Sequence, residues 1–285
     1  MEQNVIVQVL INGLTTGLIY VLMALGFSLI FSILRVFNFA HGEFYMLGAV
    51  LTYYIVSIAG LPFYVGVLAA MLAMGLLGLV VERIMFRPLA DQALPSFIVA
   101  LGLSMGLSAL MAVIIGSRGK YISEPISGVI KFLGASISWY TLTVIIASIF
   151  LVLGLHILIN YTKFGRTIRA VASNPKAALL VGVKTKSIRS QTFAIATGLA
   201  AAAGALMAPL YYITPYIGNQ VIFKVMVVVI LGGLGSIPGA VFGGLILGFI
   251  ESVGLTYIGG IANIFGWLFI IVLLLVRPQG LMGKK

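Results

Sequence analysis

Cysteine is absent from this 285-residue chain, which excludes disulfides, thiolate metal ligands and thiol nucleophiles without fixing the compartment. Histidine is nearly absent, with 2 residues, and no His-Glu-x-x-His run occurs, so no metal site is expected. Charge is scarce too. Lys, Arg, Asp and Glu make up 8% of the chain, where an ordinary soluble domain carries roughly 25%. A surface so poor in charge must face something other than water. The P-loop pattern Gly-x-x-x-x-Gly-Lys-Ser/Thr is also missing, because Gly119-Lys120 lacks the upstream glycine. The chain itself is therefore expected to bind no ATP, and no cofactor is expected on it. No nucleophile, base and orienting group can be assembled from its motifs, which sets enzymatic chemistry aside.

What is present is apolar: 61% of the residues are hydrophobic. A helix needs about 20 apolar residues to cross a bilayer, and windows such as 140–159 and 261–276 come close to or meet that length. In lipid every backbone polar group must be satisfied internally, which leaves helices or a closed barrel. A barrel would show alternating strands of about ten residues, whereas these runs are unbroken and rich in Leu, Ala, Ile and Gly. The expected fold is all-α, a polytopic transmembrane helical bundle in a single domain over 1–285. It has roughly eight or nine helical segments by the span-length rule. Spans are expected at 5–34, 36–59, 63–81, 95–115, 139–161 and 191–213, with a last one ending at Arg277. The stretch 117–138 reads as an extramembrane loop with a short interfacial helix. Between 221 and 258 the sequence predicts a broken or re-entrant pair. Gly232, Gly233, Gly235, Pro238 and Gly239 form the break.

The net charge is +11, yet nucleic acid is not the implied partner, because the basic residues flank apolar spans as topology determinants do. The segment 162–190 carries Lys163, Arg166, Arg169, Lys176, Lys184, Lys186 and Arg189 and no acid. Short Lys/Arg-rich loops stay cytoplasmic. Counting from there places the N-terminus outside and the C-terminus, with Lys284 and Lys285, in the cytoplasm. Gly13/Gly17, Gly102/Gly106 and Gly235/Gly239/Gly243 follow small-xxx-small spacing, which predicts close helix packing.

Asn38, His41 and Tyr45 share one helix face by their i, i+3, i+7 spacing, with Glu43 pointing elsewhere. Ionisable groups in a bilayer usually face a bundle interior or a water-filled path. Two readings stay open: these residues line a translocation pathway or gate, or they cap a broken helix near the interface, which the nearby Arg35 favours. Glu251 either faces a cavity within the membrane or reaches the outer headgroups. Lys224 is expected to snorkel to the interface.

Four ordered stretches carry a resemblance: Asn38 through Gly48, Gly165-Arg166 through Gly182, Leu231 through Ala240, and Arg277-Pro278-Gln279-Gly280. Over essentially its whole length the chain resembles permeases of high-affinity branched-chain amino acid ABC importers, the shorter, LivH-like type. The resemblance implies a bacterial or archaeal cytoplasmic membrane and alternating access. It also implies a second permease subunit, identical or different, two cytoplasmic ATP-binding subunits that hold ATP and Mg, and an extracytoplasmic solute-binding protein. It further implies an ATPase-coupling helix in the basic loop. There Ala177, Ala178 and Gly182 fit an Ala-Ala-x-x-x-Gly core, flanked by Arg166, Arg169, Asn174, Pro175 and Lys176. Lys176 stands where the general importer pattern has Glu. An ion-coupled secondary transporter and a passive channel are the alternatives from the residues alone.

Overall fold

The long apolar runs fold as helices, some enclosed on all sides and others with one face of large apolar side chains left exposed. A computed structural model of the chain describes residues 2–261 except Asp91, Ser117 and Leu133. The expected last span and the Arg277–Gly280 motif lie outside the described residues. The helices are α1 (Glu2–Leu34), α2 (His41–Tyr53), α3 (Phe63–Val81), α4 (Ala93–Ile115) and α5 (Trp139–Tyr161). They continue as α6 (Lys163–Ser173), α7 (Pro175–Leu180), α8 (Thr185–Met207), α9 (Ile217–Gly232) and α10 (Ile237–Tyr257). Two of them, α6 and α7, stand in the polar connector, and the others form the bundle. Six of the helices are long and apolar enough to cross a membrane; α2 and α9 are shorter.

Helices α1 and α8 form the centre. Each buries 83% of its apolar window, against 22% for α3 and α5 and 28% for α4, so the latter three are the outer staves. Their exposed stripes, such as Leu68, Leu72 and Leu76 on α3 or Ile146, Phe150 and Ile157 on α5, would be untenable in water and suit hydrocarbon. In α8 the run Ala200 to Ala203, wholly buried, lets neighbouring backbones approach. A Cβ on Gly48 of α2 would overlap the Ala201 backbone, and one on Gly204 would overlap the Tyr45 carbonyl.

α1 and α10 run antiparallel: Ser252 Oγ donates to Val9 O at 2.8 Å, while a Cβ on Gly17 would stand 3.1 Å from Leu245 Cα. Gly13 abuts Phe249, and Gly239 and Gly243 abut Gly232 and Val228, as the small-residue spacing predicts. Gly102 and Gly106 differ, because nothing lies within 4 Å of a Cβ at either. Gly102→Ala and Gly106→Ala are therefore expected to raise thermal stability slightly, by the roughly 0.5–1 kcal/mol that helical glycine loses to alanine. Gly17→Ala, pressed on backbone, is expected to lower it; a thermal-shift assay in detergent compares the three.

Three expectations change. The second span does not start at 36. Arg35, at φ 54, turns the chain back on itself, and residues 36–40 run without regular structure until α2 starts at His41. The loop at 117–138 holds no helix among its described residues. It forms an antiparallel hairpin, β1 (Val129–Phe132) with β2 (Ala135–Ser138). β-Branched Val129, Ile130 and Ile137 favour strands, and Gly134 turns the chain at φ 81. Ser136 N donates to Gln8 Oε1 at 3.1 Å, tying this hairpin to the start of α1. The sixth span begins earlier than expected, at Thr185, because its polar first turns are already helical.

The glycine-rich break falls where the sequence places it. Gly232 ends α9, Gly233 and Gly235 take φ 96 and 77, and Ser236 caps α10 by accepting from Gly239 N at 3.1 Å. Pro238 sits in the first turn of α10, where its missing N–H costs nothing. The close Gly232–Gly239 backbone contact folds the two helices against each other.

Candidate functional site

Polar side chains are few inside this bundle, and two clusters of them are joined by α9. The first lies between α2, α4 and α9. Glu43 is fully buried, and the Ser104 hydroxyl lies 2.9 Å from its Oε1 and 3.2 Å from Asn219 Oδ1. Asn219 Nδ2 donates to Ser108 Oγ at 3.0 Å. Gly42 and Gly218 allow this: a Cβ on Gly42 would overlap the Gly218 carbonyl, and one on Gly218 would stand 2.9 Å from Glu43 Oε2.

His41 is also fully buried, with Nε2 3.2 Å from Met23 O and its ring edge-on to Phe27. Met23 lies about three turns before the end of α1, so His41 sits deeper than its distance in sequence from Arg35 suggests. Both amide atoms of Asn38, His41 Nδ1 and Glu43 Oε2 are buried without a hydrogen-bond partner among the described residues. Such a concentration is unusual, because buried polar groups are almost always paired.

The expected common face of Asn38, His41 and Tyr45 does not form. Asn38 precedes the helix, His41 faces α1, and Tyr45 is buried where its backbone meets Gly204 of α8. Glu43 does point elsewhere, toward α4 and α9.

The second cluster joins α1, α9 and α10. Lys224 Nζ pairs with Glu251 Oε1, and the Tyr20 hydroxyl donates to Glu251 Oε2. Lys224 Nζ also donates to Tyr20 OH at 3.0 Å and lies 5.6 Å from the centre of its ring. Helical side chains lean toward the N-terminus of their own helix, so Tyr20 and Glu251 on antiparallel helices lean toward each other. Lys224 does not snorkel as expected; a carboxylate within reach outweighs the headgroups. Glu251 is buried in this cluster, at 9% exposure.

A third set stands where α3 ends and α8 begins. Arg87 Nη2 is 3.1 Å from Glu82 Oε2, Ser190 Oγ donates to Glu82, and Arg87 donates to Ser190. The sequence reading missed it, and it missed Ser104, Ser108, Asn219 and Tyr20. For the serines a signal existed: Ser96, Ala100, Ser104 and Ser108 form a small-residue stripe every four residues along apolar α4.

In the basic connector, Thr162 caps α6 by accepting from Gly165 N at 3.0 Å. Asn174 caps α7 by accepting from Ala177 N at 3.0 Å, with Pro175 in its first turn. Gly182, at φ 83, follows α7. Arg166, Arg169, Lys176, Ala177 and Gly182 are exposed, whereas Ala178 is buried at 4% and belongs to the inner face. The Arg169 guanidinium donates to Ile159 O, tying α6 to the end of α5. Sequence reasoning missed the tip: Leu179, Leu180 and Val181 are 61%, 88% and 79% exposed. A cavity of about 270 Å³ between α1, α4 and the connector is lined in part by Arg35, Gln92, Ser96 and Arg189. No three His, Cys, Asp or Glu side chains stand close enough to hold a metal ion among the described residues.

Comparisons with known proteins bear on what these features serve. A family model described as branched-chain amino acid transport system / permease component matches residues 9–277. The high-affinity branched-chain amino acid transport system permease protein LivH of Salmonella typhimurium is 33% identical, over 97% of this chain and 95% of that one. The corresponding permease protein BraD of Pseudomonas aeruginosa is 32% identical over the same shares. Among solved structures, PsaBC from Streptococcus pneumoniae in complex with Fab aligns with 94% of this chain and 91% of that one. Its TM-score is 0.52 at 12% sequence identity, a likeness of fold alone.

Proposed function

The chain belongs to the branched-chain amino acid transport permease family, and on that premise we propose that it is the membrane-spanning subunit of an ATP-driven ABC importer. Its cargo is branched-chain or other apolar amino acids, moved by alternating access. The family match across residues 9–277 carries the reading. The relatives are permease components of transport systems, which favours this reading over an ion-coupled carrier or a passive channel. Six apolar helices among the described residues and permease relatives make the chain a multi-pass inner-membrane protein.

The finer parts rest on local observations. The Lys/Arg-rich 162–190 connector argues for a cytoplasmic connector, an outside N-terminus and a cytoplasmic C-terminus. The contact between Ser136 and Gln8 supports the same side for the hairpin and the start of α1. The exposed Leu179–Val181 tip, with Arg166, Arg169 and Lys176 around it, suits docking on a cytoplasmic ATPase subunit. Two such subunits would hold ATP and Mg. A second permease subunit and an extracytoplasmic solute-binding protein complete the assembly. Unpaired polar atoms on Asn38, His41 and Glu43 support a place for them along the translocation path, and Glu251 joins them there.

Proteoliposomes holding the whole assembly, with binding protein outside and ATP inside the compartment that contains the ATPases, test this. Labelled leucine is expected to accumulate only with hydrolysable ATP. Uptake driven by an imposed proton gradient without ATP, or mere equilibration, would exclude the proposal.

A further inference from the structure

We propose that Lys224, Glu251 and Tyr20 form a recognition site for the charged ends of an amino-acid zwitterion: lysine for the α-carboxylate, glutamate for the α-ammonium. The inference rests on the importer reading above and adds the residues that contact the cargo.

Stability alone does not account for this cluster. A buried ion pair repays its desolvation poorly, and apolar residues of similar volume often do as well or better. Ionisable groups at membrane depth are costly and tend to mark solute paths. Among the described residues, the other carboxylate paired with a cation is Glu82, bonded to Arg87 where α3 ends. Lys224 and Glu251 instead sit within the bundle, each roughly 10 Å along its helix from one common end, where α9 starts and α10 finishes. That is the side to which the proposed topology delivers solute.

Charge count and geometry match the ligand. An amino acid brings one cation and one anion, and the cluster offers one of each. When it is empty the two charges neutralise each other. When it is occupied each would exchange its protein partner for a substrate partner, so the number of ion pairs does not fall and no charge is left bare. Tyr20 suits both states, because its hydroxyl donates to one carboxylate and accepts from the lysine. The site is partly open, since the Lys224 side chain is 32% exposed and that of Glu251 10%.

The test uses the reconstituted complex with labelled leucine as probe. The paired variant Lys224→Met with Glu251→Gln removes both charges and leaves neither buried alone. It is expected to keep the melting temperature of the parent while leucine uptake at subsaturating concentration falls at least tenfold. The swapped variant, Lys224→Glu with Glu251→Lys, keeps an ion pair but inverts the site, and the same loss is expected; it decides the matter if the neutral pair fails to fold. In the parent complex, saturating leucine is expected to shield Lys224 from an amine-reactive label. Uptake within twofold of the parent in either variant, or labelling of Lys224 unchanged by leucine, would overturn the assignment. A parent complex that takes up no leucine at all would instead remove the importer premise.

Discussion

Gly204→Leu is expected to yield no monodisperse protein in detergent. A side chain at Gly204 is directed at the Tyr45 backbone, with Tyr45 C at 2.8 Å and Cα at 3.1 Å from the first added carbon. No rotamer change relieves that contact, because the obstacle is main chain. Its neighbours Ala200 to Ala203 cannot give way either, being small and fully buried. Overpacking a well-filled core costs about 1–3 kcal/mol when side chains can adjust. Here α2 and α8 would have to part, which would loosen the Phe44–Phe193 contact and the seat of Glu43. A loss on that scale consumes much of the roughly 5–15 kcal/mol typical of folded chains. Size-exclusion profile and thermal unfolding are the measurements, with Gly102→Leu as a lipid-facing control that keeps the fold. A Gly204→Leu protein melting like its parent would show that the two helices do not cross there.

Leu180→Asp is expected to leave the fold intact and to reduce ATP-driven leucine uptake by at least tenfold. Leu180 is 88% exposed, so the change disturbs little within this chain. Three neighbouring apolar side chains held out in a basic segment gain free energy only by being covered, at about 25 cal/mol per Å². Anchors at the centre of an interface contribute about 2–4 kcal/mol, enough for a tenfold or larger loss of association at about 1.4 kcal/mol per decade. Reversal of the rim charges Arg166, Arg169 and Lys176 is expected to cost less and to depend on salt. Copurification of the ATPase subunits and uptake in proteoliposomes report both effects. Full copurification with Leu180→Asp would place docking elsewhere on the chain.

Sequence patterning made the helices legible because a bilayer demands long apolar runs, and these were visible in α1, α3, α4, α5 and α10. The break between α9 and α10 was legible for a different reason, since glycine clusters and an early proline have few structural uses. The reversal at Arg35 was not. Val36, Phe37, Phe39 and Ala40 are as apolar as any span, and nothing local says that they run back along α1. The depth of His41 follows from that reversal and was hidden with it. Lys224 was misread because its partners are distant in sequence, Glu251 on the next helix and Tyr20 on the first. Pairing of that kind is a tertiary fact. Ala178 shows the opposite error: small-residue spacing suggested a docking face, whereas its inner side is packed and the adjacent leucines project.

The brevity of α9 has a mechanical consequence. At 16 residues it measures about 24 Å, less than the roughly 30 Å of hydrocarbon around it, so neither end of this rod need be moored in a headgroup layer. Beside the Gly232–Gly239 contact two polar handholds act on it, Asn219 toward one pair of neighbours and Lys224 toward another. Whatever loosens one grip shifts the load to the other, which makes this segment a lever between the two halves of the bundle.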